Sequence, residues 1–247
     1  MSLDTSSTPS PEEPSFSIEA IGFINSDLKE KFGTPRQPGL CPSVVSSIIL
    51  ENSAFNREAI TGLENCSHLW ILAWFHKNKD MKARSLVRPP RLGGNTKVGV
   101  FSTRSPYRPN PISISACSLK GIVIKKNKIH IEINGCDLVH GTPVIDIKPY
   151  IPYADAIDES SAGWADEDWP ILEVSYSAQA RAILDKNQIE DGLTEILCQD
   201  PRPAYQKKNE GKVYTFQFRD FDISFETINE THIRVAKITP LKVKNEK

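Results

Sequence analysis

Between residues 16 and 150 the chain is a succession of short β-branched runs, each closed by turn-forming residues. SIEAIGFI, PSVVSSIILE, HLWILAWFH, VGVFST, PISISACSL, IVIKKNKIHIEI and TPVIDI leave little room for helices between them. Runs this short, rich in valine and isoleucine, fit strands better than helices. Only FNREAITGLEN reads as a short helix, with Asn56 as cap and Gly62 as stop. KKNK, between IVI and IHIEI, predicts a hairpin turn. Close spacing without crossover helices predicts an antiparallel barrel or sandwich rather than a βαβ array.

The pattern changes at both ends of this region. Residues 1–15 are rich in Ser, Pro and Glu, cannot bury enough apolar surface to offset ordering, and predict a mobile tail. AIDESSAGWADEDWP reads as an acidic linker. SYSAQARAILDKN and QIEDGLTEILCQD carry helical spacing, whereas VYTFQFRDFDISFE and HIRVAKIT, split by TINET, read as hairpin strands. The expected division is a tail at 1–15, a β-rich domain at 16–155, and a linker with a small α+β domain at 156–247.

Charge narrows the function. Thirty basic residues stand against 31 acidic ones, a net charge of -1, which excludes a wholesale basic nucleic-acid binder but not a local basic face. Residues 77–108 hold nine basic residues and one acid, Asp80: a footprint for phosphate, or a solvated loop. No apolar run approaches the roughly 18–20 residues of a membrane helix, and the N-terminus lacks the pattern of a secretory signal. Five cysteines without CxxC spacing argue against zinc and disulfides, and for reduced thiols in the cytoplasm or nucleus. A GxGxxG after a strand, a Walker loop, HExxH and GxSxG are all absent, which disfavours a Rossmann site and the familiar hydrolases.

What remains is polar chemistry on proline-braced turns. TPRQPGL sets Arg36 and Gln37 between two prolines, which stiffen the loop. RPPRLGG repeats the device with Arg88 and Arg91. STRSPYRPNPIS gathers Arg104, Tyr107, Arg108 and Asn110; arginine forks suit carboxylates and phosphates, and tyrosine stacks on bases. GCDLVHGTPVIDIKPY carries Asp137, His140, Asp146 and Lys148, and Asp146, in an apolar run, needs a partner. His68 and His76 bound the HLWILAWFH run, a place where histidine is more often structural than catalytic. QDPRPAYQK braces another Arg and Tyr.

PRQPGL, GLENCSHLWILAWFH, VRPPRLGGN, VGVFSTRSPYRPNPIS and DLVHGTPVIDIKPYIPYAD, in this order, closely resemble the TrmO (TsaA-like) family, and DPRPAY resembles its C-terminal signature. The likeness is dense over about 17–155 and looser over 199–239. It implies a mainly β protein with an antiparallel β-barrel core, not Rossmann, and a small α+β C-terminal domain. It further implies an S-adenosylmethionine-dependent tRNA methyltransferase. The expected acceptor is N6 of threonylcarbamoyl-adenosine (t6A) beside the anticodon of threonine tRNA, and the expected form is a cytoplasmic homodimer, without metal or membrane.

Carried over residue by residue, the resemblance assigns the cofactor to Pro35, Arg36, Gln37, Phe75, His76, Arg104, Ile114, Asn134, Gly135, Cys136, Asp137 and Leu138. His76, Asp137 and Tyr205 are the candidate proton acceptors; positioning without a dedicated base is the alternative. Arg91, Tyr107, Arg108, Arg202 and Tyr205 are the candidate RNA contacts. Two rivals stay open: a non-enzymatic RNA-binding barrel, and a methyltransferase of the same fold with a different acceptor.

Overall fold

A computed structural model describes residues 17–78, 81–166, 170–203 and 209–241; the 1–15 tail and Tyr205 lie outside them. The strands of the first half are β1 (Gly22–Ser26), β2 (Val45–Glu51), β3 (His68–Trp74), β4 (Leu86–Val87), β5 (Val98–Gly99), β6 (Ile112–Lys125), β7 (Lys128–Asn134) and β8 (Pro143–Pro149). Two short helices join them, α1 (Ala54–Ala59) and α2 (Pro152–Asp155). The second half holds β9 (Glu173–Tyr176), α3 (Ala178–Asn187), α4 (Glu190–Cys198), β10 (Val213–Phe218), β11 (Phe221–Thr227) and β12 (His232–Pro240).

Six strands line up as β1-β2-β7-β6-β3-β8, all antiparallel, with β8 returning to β1. Alternation decides which face is inside. Ile24, Ile48, Ile71, Ile129, Ile131 and Ile133 point inward and are at most 1 % exposed. KKNK makes the expected hairpin: Lys126 and Asn127 take φ of 50° and 56°, the two positive values that a two-residue turn matched to strand twist requires. PISISACSL and IVIK, read as separate strands, are one 14-residue strand with a register shift between Leu119 and Gly121.

The six antiparallel strands close into a barrel, with β8 paired to β1. The closure is uneven: β1 meets β8 through two residue pairs, Gly22–Val144 and Phe23–Pro143, continued by bonds between Ile24 and Thr142 and Gly141, whereas β2 and β7 share seven pairs. VGVFST adds no strand to the six; it forms the two-residue β5 and a 3-10 turn, packed on β4.

The second sheet runs β10-β11-β12-β9, with β9 parallel to β12 and α3 and α4 packed beside it. Ser177 caps α3, its side chain accepting from the Ala180 amide, and α4 buries Leu193, Ile196 and Leu197 at helical spacing. The apolar core falls into two clusters. One fills the first sheet. The other, under the second sheet, also takes in Leu28, Cys41 and Val44 from the first half. The 27–44 segment is thus shared. Leu28 bridges to Phe218, and Phe216 lies where a Cβ on Gly33 would come within 2.3 Å.

Candidate functional site

The stiff turns converge at one end of the first sheet. Gly39 donates its amide to the Gly135 carbonyl at 2.8 Å, which clamps the PRQPGL loop onto the turn after β7. Gly135 has φ of +68° and stands so close to Gly39 that an added Cβ would sit 3.1 Å from the Gly39 Cα. Arg104, from the STRSPYRPNP turn, donates to the Gln37 side chain at 2.7 Å. Asp137, next on the β7 turn, accepts from the Ser115 hydroxyl of β6 at 2.6 Å. Burial pushes the Asp137 carboxyl up, against that hydrogen bond and the charge of Arg104. Loops far apart in sequence therefore meet: 35–39, 104 and 134–137.

Asn134 ends β7 with its side-chain oxygen buried and without a hydrogen-bond partner among the described residues. A buried acceptor left unpaired costs about 1–3 kcal/mol, so a donor from a ligand is the natural complement. Cys136 and Leu138 are core residues, at 0 % and 3 % exposed, and offer a ligand only their backbone. Pro35 is buried, and Ile114 is 47 % exposed on the outer face of β6. The Phe75 amide is fixed on the Pro111 carbonyl at 2.8 Å, tying the end of β3 to the arginine turn. His76 follows, half-buried.

Arg36 points elsewhere. It donates to the Asp200 carbonyl at 3.0 Å and to that of Arg202 at 3.5 Å, joining the PRQ loop to the C-terminal DPRP segment. Here the expectation for Arg202 is overturned. Its side chain is 0 % exposed, ion-paired to Asp200 at 2.7 Å, with further donors to Thr227, Asn229 and Glu230. A guanidinium sealed in the core cannot contact RNA; DPRP is a brace. Proline-braced arginines look alike in sequence, and only packing separates the exposed from the enclosed.

Other predicted RNA contacts are placed but partly engaged. Arg108 donates to the Thr103 carbonyl at 2.8 Å and the Ser105 carbonyl at 3.3 Å, bracing its own turn. Tyr107 has the Arg84 guanidinium 4.5 Å from its ring centroid. Arg91 is exposed and donates to the Ala165 carbonyl at 2.6 Å. Asp146 has the cation it needs, Lys148 at 2.7 Å, but on a half-exposed face. Sequence reasoning missed Ser115 and Gly39. Ser115 had a signal: it falls at an inward position of an alternating strand, where a hydroxyl needs a partner.

His76 and His140 both have pKa values lowered, first by burial and then by neighbouring lysines. The unfolded chain, with histidines near 6.5, therefore binds more protons as pH falls. Their contribution is complete above that value and lost as pH falls through the lowered ones. We expect the melting temperature to drop between about pH 7 and pH 5, and the His76→Gln/His140→Gln variant to drop less. Asp137, raised, acts in the opposite sense. A variant profile as steep as the parent's would contradict this assignment.

A mainly β chain with a polar, glycine-clamped loop cluster beside its principal antiparallel sheet belongs to a class unlike the parallel dinucleotide folds. The sequence profile of the tRNA-methyltransferase O N-terminal domain matches residues 23–156, and that of the TrmO C-terminal domain matches 170–241. The chain belongs to the TrmO family. It is 45% identical over 234 residues to a tRNA (adenine(37)-N6)-methyltransferase of Escherichia coli, covering 92% of this chain and 99% of that one. It is 40% identical to a putative S-adenosylmethionine-dependent methyltransferase of Pseudomonas aeruginosa, over 90% of this chain and 97% of that one. The crystal structure of TrmO from Pseudomonas aeruginosa superposes with a TM-score of 0.73 at 33% identity, covering 92% of this chain and 99% of that one.

Among the described residues no group of three or more His, Cys, Asp or Glu could hold a metal ion. No described helix is long and apolar enough to cross a membrane.

Proposed function

We propose that this chain transfers a methyl group from S-adenosylmethionine to N6 of an adenine in tRNA, the acceptor being t6A beside the anticodon of threonine tRNA. The observation that carries the reading is the joining of Gln37 to Arg104 and of Gly39 to Gly135. It occurs in a chain whose E. coli relative, a tRNA (adenine(37)-N6)-methyltransferase, aligns over 92% of its length.

The residues present fit such a cofactor. Asn134 offers a buried oxygen to an N–H donor. Arg104, oriented by Gln37, keeps further donors for a carboxylate. Gly135 allows close backbone approach, and Asp137, pinned by Ser115, offers a carboxyl to an amine or ribose. Phe75 offers a ring to adenine or to a cation. When bound, the cofactor supplies a methyl group on a sulfonium leaving group, so the protein chiefly aligns the reactants.

The accepting nitrogen of t6A is weakened by its carbamoyl group, and losing its proton makes it a better nucleophile. Burial, then Lys77 and Lys31, lower the His76 pKa, which favours the neutral imidazole that a proton acceptor needs. Asp137, fixed at Ser115, is better suited to binding.

The same reading includes action as a homodimer, which rests on the family likeness. It includes a cytoplasmic setting, consistent with five free cysteines. It also includes the two-domain division at 155, supported by the two apolar clusters.

The test is incubation of the pure protein with labelled donor and total tRNA, followed by digestion and identification of the labelled nucleoside. Label is expected in N6-methylated t6A. Label in another nucleoside would remove the acceptor. No label, and no heat on titration with donor, would favour a non-enzymatic RNA-binding protein.

A further inference from the structure

After β1 the chain reads Asp27-Leu28-Lys29-Glu30-Lys31, and its charges are sorted to two sides. Asp27 pairs with Arg219 at 3.0 Å, and Glu30 accepts from the Gln217 amide at 2.9 Å, so both carboxylates are committed to the C-terminal sheet. The lysines gather instead with the segment after β3. Lys31 donates to the Lys77 carbonyl at 2.8 Å, Lys77 returns a bond to the Lys29 carbonyl, and Lys29 donates to the Ser26 carbonyl at 2.9 Å. His76 and His140 feel these lysines electrostatically.

Three ammonium groups are thus fixed by backbone carbonyls, which carry no compensating charge. None of the three forms an ion pair with a carboxylate among the described residues. Each ammonium has three donors and uses one of them on these carbonyls. Like charges held together are costly without a counter-ion, and the neighbouring Asp27 and Glu30 are turned away. The chemistry that complements such a site is an anion with several acceptor oxygens. Lys31 stands four residues before Pro35 of the loop cluster already described, and Lys77 follows His76 in the chain.

We propose that Lys29, Lys31 and Lys77 form a phosphate site that grips the RNA backbone beside the reacting nucleoside, which rests on the RNA-substrate reading above. The lysines give position and not sequence, as phosphate contacts do. They differ from the arginine turn, where Arg108 is engaged by its own loop.

The experiment measures affinity for a tRNA transcript across a salt series. It compares the parent, the Lys29→Gln/Lys31→Gln/Lys77→Gln variant, and Lys186→Gln on α3 as a charge control. The slope of log affinity against log salt should shrink by about 2–3 in the triple variant, since each phosphate contact contributes about 0.7–0.9. Lys186→Gln should leave it unchanged. Thermal melting reports whether the triple variant folds. Should it melt early, Lys31→Gln alone should still lower the slope by nearly one, its side chain being exposed. A parent-like slope in the folded lysine variants, or an equal loss in Lys186→Gln, overturns the site while leaving the RNA reading intact. A parent with no salt-dependent affinity for the transcript overturns the RNA reading itself. If that parent binds inorganic phosphate in a lysine-dependent way, the site takes a small free anion, and the RNA assignment is wrong.

Discussion

Replacing Arg202 by methionine is expected to lower the free energy of unfolding by about 3–5 kcal/mol, the usual consequence of breaking a buried ion pair from one side. The cost arises mainly from what is left behind. Asp200 has a side chain only 2 % exposed, and Arg202 meets it at 2.7 Å through Nε. Without the guanidinium, a carboxylate remains enclosed, and the carbonyls of Asn229 and Glu230 lose donors at 3.4 and 2.9 Å. The Asp200→Asn/Arg202→Met double variant should recover part of the loss, because no charge is then stranded. Asparagine also tolerates the left-handed backbone at position 200, where φ is 50°. Denaturant titration of the three proteins makes the check. A single variant within about 1 kcal/mol of the parent, near the typical effect of any substitution, would refute the structural role of the pair. The effect should reach the PRQ loop, since Arg36 rests on the Asp200 carbonyl.

Gly135→Ala should cut affinity for S-adenosylmethionine at least tenfold and cost stability as well. Two effects combine. A φ of +68° is unfavourable for a residue with Cβ, by about 1–2 kcal/mol. The new methyl would also face the Gly39 backbone at 3.1 Å, and backbone cannot swing aside as a flexible side chain does. Relief would push the PRQPGL loop off the β7 turn and break the 2.8 Å bond between Gly39 and Gly135. Calorimetric titration with the cofactor reads the loss directly. Parent-like affinity would mean that the glycine contact does not shape the ligand site. Gly141→Ala serves as comparison: its φ is also positive, at +79°, but a Cβ there would meet nothing within 4 Å. It should lose stability without a comparable loss of affinity.

The strands of the first half were legible because burial imposes a period of two. KIHIEIN announces its inward face in the order of its residues, HLWILAW reads as a buried strand without showing which side is inward, and the Lys126-Asn127 turn between β6 and β7 is local chemistry. Local signals reach only so far. The cap of α1 is Ser53 rather than Asn56, a choice made by three residues of backbone. The pairing of β1 with β8 joins residues far apart in the chain, which no single segment records.

For the site, the sequence by itself determined which residue types stand on stiff turns, because proline and glycine act on their immediate neighbours. It offered Gln37, Arg104 and Asp137 on separate stretches, while Gly135 and the grouping of the four came from the family resemblance. Tertiary structure alone decided what each arginine touches. Arg104 faces Gln37, Arg108 its own loop, Arg36 the DPRP segment, and Arg202 a buried aspartate. A guanidinium is the same donor in every sequence, and its role is set by whether water or protein surrounds it. That depends on contacts between residues more than a hundred positions apart, such as Arg36 with Asp200, which exist only once the chain has folded.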